Sequence, residues 1–426
     1  MAELPAGLAA PGGGLGTLRS NRSLLLLWAG QVISQSGDAV FELALLWLAL
    51  ELTGSSATAG LLAAATYLPA LLFGLFGGAL ADRFDHRRLM LWSDAVRAAV
   101  ALAIPVLSIT GHLSVWALGG LAFVLACFTA LFNPARDALL PRLVTPSQLV
   151  PANSLIQTSW QLSLVVGPLV AAGLIPLVGV VHLFTVDALS FLASFGLLLA
   201  MRTPREATAQ GGTGAALGNA WRDVLEGLRY VRADPRLAGL LGVTALDNLF
   251  LMGPAIVGVP IFVRQVLHGN AVVYAGAALP YAAGMLLGTL LLNVWGARFR
   301  PGAVLLFGML MDGLTWVPFF WVHTPAQLWL TLLVHGLATP LIVISRPTLV
   351  QTVVPERMQG RVFGMIGTAV VGFSALSSAL TGVVATHVDI RTLFVAIALA
   401  AASCGALGMF FKPLRQAGLA RALPAP

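Results

Sequence analysis

The chain has 426 residues, of which 58% are apolar and only 10% charged, with a formal net charge of +7. Soluble domains carry about 25% charged residues, so no water-facing shell can be drawn over this chain, which excludes a soluble enzyme, a disordered regulator and a nucleic-acid binder. The two cysteines, Cys127 and Cys404, sit inside apolar runs and supply neither a disulfide framework nor a metal set.

A helix crossing about 30 Å of hydrocarbon needs about 20 apolar residues. Twelve stretches qualify: 24–50, 57–79, 89–110, 114–134, 152–175, 180–201, 237–262, 271–293, 302–321, 326–347, 362–385 and 390–411. Barrel strands are shorter and alternate in polarity, so the spans are helices. The first apolar run is too long for a signal peptide. The layout predicts a tail over 1–22, six spans over 23–201, a connector over 202–236, six spans over 237–411 and a tail over 412–426. The connector opens on the flexible Gly211-Gly212-Thr213-Gly214. Trp221, Leu225, Leu228 and Val231 then recur at helical spacing, opposite Arg222, Asp223, Glu226, Arg229 and Arg232. This is an amphipathic helix, either in the membrane interface or a solvated connector.

With the N-terminus inside, all of the 24 basic residues except Arg97, Arg264 and Arg391 fall in inner segments. This bias orients the chain with both termini cytoplasmic and sets the excess charge against the anionic inner leaflet. A shift of 209 residues lays Asp38 on Asp247, Phe41 on Phe250 and Val144-Thr145-Pro146 on Val353-Val354-Pro355. Such repeats are one common design for secondary transporters.

Between spans two and three stands Gly78-Ala79-Leu80-Ala81-Asp82-Arg83-Phe84-Asp85-His86-Arg87-Arg88. It resembles the signature loop of the major facilitator superfamily, with Asp85 and His86 departing from the pattern. The second-half counterpart, Asn293 to Arg300, lacks the acidic residue. Ser36-Gly37-Asp38, Phe132-Asn133-Pro134-Ala135-Arg136-Asp137, Leu149-Val150-Pro151-Ala152-Asn153-Ser154 and Gly360-Arg361-Val362-Phe363-Gly364 resemble bacterial exporters of the enterobactin and macrolide-efflux type. The resemblance implies an all-α major facilitator fold, with twelve transmembrane helices in two pseudo-symmetric six-helix bundles. It also implies a cytoplasmic gate, in which Asp82 meets the start of span eleven at Gly360 and Arg361, where free backbone N–H groups favour an anion. Gly78 would permit close helix contact there, and Arg83, Arg87, Arg88 and Arg136 would join the gate or, for Arg87 and Arg88, serve only to fix topology.

An ionisable residue at membrane depth is costly and marks function by default. Asp38, Glu42, Asp247 and Asp312 are such residues. Asp38 lies roughly 20 Å along span one at 1.5 Å per residue, and Glu42 shares its face. These carboxylates and Asp247 either load and release protons, bind a cationic substrate, or only hydrogen-bond a neighbouring helix. Asp94 and Arg97, one turn apart, form a structural ion pair. Spans one, four, seven and ten line the path in this fold, with Gln35, Phe128, Asn248, Phe250 and His335 facing it; His335 is either a proton relay or a packing residue. Gly167-Pro168-Leu169-Val170-Ala171-Ala172-Gly173 resembles the Gly-Pro motif of drug–proton antiporters. Pro168 bends span five, with Gly167 and Gly173 allowing close approach. The reading is a secondary exporter of hydrophobic or amphipathic small molecules (drug, macrolide or siderophore) in the bacterial inner membrane. It works by proton antiport as a monomer, with membrane lipids as surroundings and no metal, cofactor or nucleic acid. The alternative is a lipid or lysophospholipid transporter. No ATP-binding loop or metalloprotease spacing is present.

Overall fold

In the computed structural model the described residues are 21–74, 84–145, 148–203, 225–295 and 298–418. Twelve helices in them are long and apolar enough to cross a membrane, and among the described residues there is no strand. In chain order they are α1 (Arg22–Thr53), α2 (Ser56–Gly74), α3 (His86–Ile109), α4 (Val115–Leu143), α5 (Leu149–Val178), α6 (Leu183–Ala200), α7 (Pro235–Gln265), α8 (Ala271–Trp295), α9 (Pro301–Trp321), α10 (Pro325–Val353), α11 (Glu356–Val384) and α12 (Ile390–Gly408). Three of these are not uniform. A π-helical turn occupies Pro254–Gly258 of α7, a 3-10 turn occupies Val317–Trp321 of α9, and α10 is interrupted at Ile344.

The short breaks work as helix boundaries because they carry capping side chains. Asn21 accepts from Leu24 N–H, Ser114 from Ala117 N–H and Asp85 from Arg88 N–H, each satisfying a donor that the first turn leaves free. Thr324 and Gln327 form a reciprocal capping box at the start of α10. Gly54, at φ +63°, ends α1 in the left-handed region.

Three helix ends differ from the hydropathy reading. α4 continues past residue 134 to Leu143, through Pro134 and Pro141, and α10 runs on to Val353. α11 starts at Glu356 rather than 362. These extra turns are mixed in polarity, so a hydropathy window stops where the membrane stops while the helix continues.

Each half repeats one packing plan. α1 packs on α5 and α6, and α7 packs on α11 and α12; α3 packs on α4 and α6, and α9 on α10 and α12; α2 meets α4, and α8 meets α10. The halves join through α2 with α11 and α5 with α8. Small residues allow the closest approaches. Gly60 of α2 faces Gly382 and the Ser378 carbonyl of α11, where a Cβ would stand 2.5 Å from that oxygen. Around this crossing, Gln265 donates to Ser56 at 3.2 Å and Trp47 stacks on Tyr274 at 6.1 Å. All these contacts lie toward the end of the molecule that carries the turn at 54–55. Toward the other end, α11 exposes Gly360, Gly364 and Gly367, and a Cβ on any of them would meet no atom within 4 Å. Among the described residues the halves therefore meet at the end that carries the turn at 54–55.

Candidate functional site

The first half builds a charged cluster around one arginine. Arg97 of α3 is 2% exposed, with its guanidinium 4.6 Å from the Phe132 ring centroid and 4.2 Å from that of Phe191. The rings hold the cation face-on. Nη2 donates to Asp94, which is fully buried, and Nη1 lies 4.0 Å from Asp38 Oδ2. Asp38 is near the middle of α1 with 26% of its side chain accessible. Glu42, one turn on, is exposed. Arg97 thus joins a sealed carboxylate to one that reaches the opening between the halves.

The second half answers with a different construction. Asp247 of α7, at the position related to Asp38 by the 209-residue shift, pairs with Arg346 of α10 at 3.2 Å. Asp312 of α9 lies 3.3 Å from His335 Nδ1. Thr315 Oγ1 donates to the Asp312 carbonyl at 2.7 Å and meets His335 Nδ1 at 2.8 Å. The His335 ring stacks on Tyr281 at 5.6 Å and meets Trp316 edge-on at 5.1 Å. The arginine comes from α3 in the first half and α10 in the second, so the repeat relates the carboxylates and not their partners.

Several expectations need correction. Arg346, counted among the inner charges, is only 16% accessible and bound to Asp247. Asn248 and His335, expected to line the path, are buried in this conformation: Asn248 donates to the Thr244 carbonyl at 2.8 Å and accepts from Ser374 at 3.4 Å. Gln35, Phe128 and Phe250 are half-buried, and Gln35 is tied to Gln31 and Ser159 at 3.1 and 3.0 Å. A Cβ on Gly167 would stand 2.5 Å from Ala39 Cβ, so α5 and α1 do touch there, whereas Gly173 faces open space. α5 remains one continuous helix through Pro168.

Of the gate residues, Gly78, Asp82 and Arg83 lie outside the described residues. Gly360 is the fifth residue of α11, past the four free N–H groups of a helix start, so the backbone anion site expected at Gly360 and Arg361 is not formed there. Arg361 pairs with Glu226 at 2.7 Å. Glu226 belongs to the helical stretch 225–233, whose Gly227 packs on Met365 and Arg361; this part of the connector rests on α11. Arg87 donates to the Leu198 and Leu199 carbonyls at 2.9 and 2.8 Å, capping α6, and the Arg88 side chain is exposed. Arg136 binds Asp137 at 2.8 Å and Gln31 at 2.9 Å. It lines a cleft of about 440 Å³ with Asp137, Asn153, Ser154, Ile156 and Gln157.

The sequence reading passed over Asp187 of α6. This residue is fully buried and lies within electrostatic reach of Asp38, Arg97 and Glu42. Its signal was the one that marked Asp38, a lone acid inside an apolar run. Among the described residues no three His, Cys, Asp or Glu side chains come together as a metal-holding group, and the fold is that of a transporter.

The chain matches the family described as transmembrane secretion effector over residues 14–421. It is 31% identical to the MFS-type transporter YfiS of Bacillus subtilis, across 88% of this chain and 90% of that protein. It is 28% identical to the multidrug efflux pump Tap of Mycolicibacterium fortuitum, across 93% and 97%. Macrolide efflux protein A of Streptococcus pyogenes is 28% identical across 63% of this chain, and the match spans just under two thirds, 66%, of that protein. Among solved structures, a bacterial homologue of the human lysosomal transporter Spinster, inward-facing and unoccupied, aligns with a TM-score of 0.74 at 15% identity, covering 96% of this chain and 100% of that one. The nucleoside transporter NupG aligns at 0.70 and 14%, covering 91% and 98%.

Proposed function

Because the chain belongs to the transmembrane secretion effector family of the major facilitator superfamily, and has the fold of secondary transporters of small molecules, we propose that it exports hydrophobic or amphipathic compounds by proton antiport. The observation that carries this reading is Asp38, a partly accessible carboxylate in mid-helix, 4.0 Å from the buried Arg97 and one turn from the exposed Glu42. Such a group can take a proton, release its hold on the arginine and so report its protonation to the packing of α1, α3 and α6. A pair of accessible acids can also attract a cationic drug. The names of the Streptococcus and Mycolicibacterium relatives, macrolide and multidrug efflux, support the drug and macrolide branch over a sugar or amino-acid carrier.

With both termini cytoplasmic, the orientation that the arginine distribution supports, the Gly60–Gly382 crossing closes the outer side and the opening faces inward. The 202–236 segment then joins two six-helix halves that rock about the α2–α11 and α5–α8 seams. The protein acts as a monomer in the inner membrane, with a proton gradient as its energy source.

The second reading is a lipid or lysophospholipid transporter. It draws on the apolar character of the chain, 58% of whose residues are hydrophobic. One experiment separates the two. In proteoliposomes, an imposed pH difference alone should drive uphill accumulation of a macrolide or a cationic dye. Lysolipid movement at the same rate with and without the pH difference would favour the second reading, and no protein-dependent flux of any of these compounds would sink both.

A further inference from the structure

Asp187 has no part in the contacts described so far, and its surroundings are unusual for a carboxylate. α6 leans on α1 at Gly30 and Gly37, two turns apart on one face. A Cβ on Gly37 would collide with Ser190 Oγ and stand 2.6 Å from Asp187 Oδ1. The Asp187 carboxyl is therefore wedged against the α1 backbone one residue before Asp38, and the residue has no accessible surface. Oδ2 has no hydrogen-bond partner among the described residues. Oδ1 has one long contact, Ser190 Oγ at 3.4 Å, and that hydroxyl already donates to the Asp187 carbonyl at 2.7 Å. The Ser190 hydroxyl, with a single proton to give, is shared between that carbonyl and Oδ1, so the carboxylate has at most one long donor.

The ionisable groups facing it come from the two helices packed on α6. α1 contributes Asp38 and Glu42, and α3 contributes Arg97, which holds Asp94 beside it. Arg97 is the one cation among them, and it is bound to Asp94 and directed at Asp38. A buried carboxylate whose one donor is long and whose nearest cation is bound elsewhere is costly to keep charged. The aspartates do not form a metal-holding group, and with Asp187 fully buried a proton is the neutralising species that needs no added space.

We propose that Asp187 is a second proton-binding site, which holds a proton in this conformation and surrenders it when Asp38 is protonated. Resting on the antiport reading, this deepens it: Asp38 and Asp187 share one guanidinium and one proton. When Asp38 takes a proton from the opening, its O–H bond forms and Arg97 loses that partner. Arg97 then neutralises Asp187, whose O–H bond breaks and whose proton passes to water once the packing of α1 on α6 loosens to admit it. Charge and atoms balance, and the order of release ties α1 to α6.

The test is infrared spectroscopy of the purified full chain carrying carboxyl-¹³C aspartate, in nanodiscs at neutral pH. The wild type should show the C=O stretch of a protonated aspartic acid. Asp187→Asn should lose that component, and Asp38→Asn, which mimics protonated Asp38, should lose it too as Arg97 turns to Asp187. A wild-type spectrum without protonated aspartate overturns the proposal and needs no variant. A component unchanged in a well-folded Asp187→Asn protein also overturns it, as does one unchanged in Asp38→Asn. None of these readouts depends on flux, so a wild type whose transport ignores a pH difference would defeat the antiport reading and leave the Asp187 result to stand or fall alone.

Discussion

Arg97 and Asp94 show how much one buried pair can hold. With Asp94 fully buried and Arg97 at 2% exposure, removal of one member strands the other in apolar surroundings, at about 3–5 kcal/mol. Arg97→Met should lower the melting temperature in detergent sharply. Arg97→Met combined with Asp94→Asn should recover part of the loss, because the stranded charge is gone. A double variant less stable than the single would contradict this account of the pair. Asp234 is a smaller case, outside the membrane, where its carboxylate caps α7 by accepting from Arg236 N–H at 2.8 Å. The Arg236 guanidinium and backbone hold its pKa below the ordinary carboxylate range. A depressed pKa gives stability that is present above the unfolded value and lost as pH falls through the folded one. Asp234→Ala should thus cost about 1 kcal/mol at neutral pH, with the difference from wild type shrinking only in strong acid; a difference that grew on acidification would contradict it. At this scale the sequence was legible where spacing sufficed, as for Asp94 with Arg97. It was not legible where partners come from distant helices, as for Arg346 with Asp247. Asp187 was legible in principle, since an acid in an apolar run needs no structure to be noticed.

Helices report their membrane segments well and their ends poorly. Hydropathy located all twelve, yet α4 and α10 extend through turns in which polar residues mix with apolar ones. The beginning of α11 matters most, because moving it from 362 to Glu356 removes the free amides from Gly360. Close approaches are also hard to read from glycine alone: Gly167 touches α1, while Gly173 touches nothing within 4 Å. The α2–α11 crossing at Gly60 and Gly382 is the contact on which closure at that end depends. Gly60→Leu should wedge it open and bring the opposite ends together. Spin labels at positions 153 of α5 and 294 of α8 should then report a shorter distance than in the unsubstituted background. An unchanged distance, with the protein folded, would mean that the crossing does not govern closure.

At the scale of the whole molecule, the two halves have matching packing and unlike charge clusters. The fold followed from composition, span length and order, which depend on the membrane as solvent and not on particular contacts. The site followed only in part, because its chemistry lies in which helix supplies each arginine. Orientation has its own check: cysteines placed at 54 and 325 should react with an impermeant reagent from outside intact cells, and reaction only from inside would invert the reading.

The central claim is that Asp38 couples a proton to export, and the most direct measurement compares binding with uphill flux. Wild type, Asp38→Asn and Glu42→Gln would be purified and reconstituted with a compound chosen by thermal-shift screening of siderophores, macrolides, dyes and lysolipids. Asp38→Asn fixes the neutral form, so it should bind an uncharged substrate with wild-type affinity and exchange it passively, while failing to accumulate it when only a pH difference is supplied. Wild-type accumulation by Asp38→Asn under that pH difference would contradict the account.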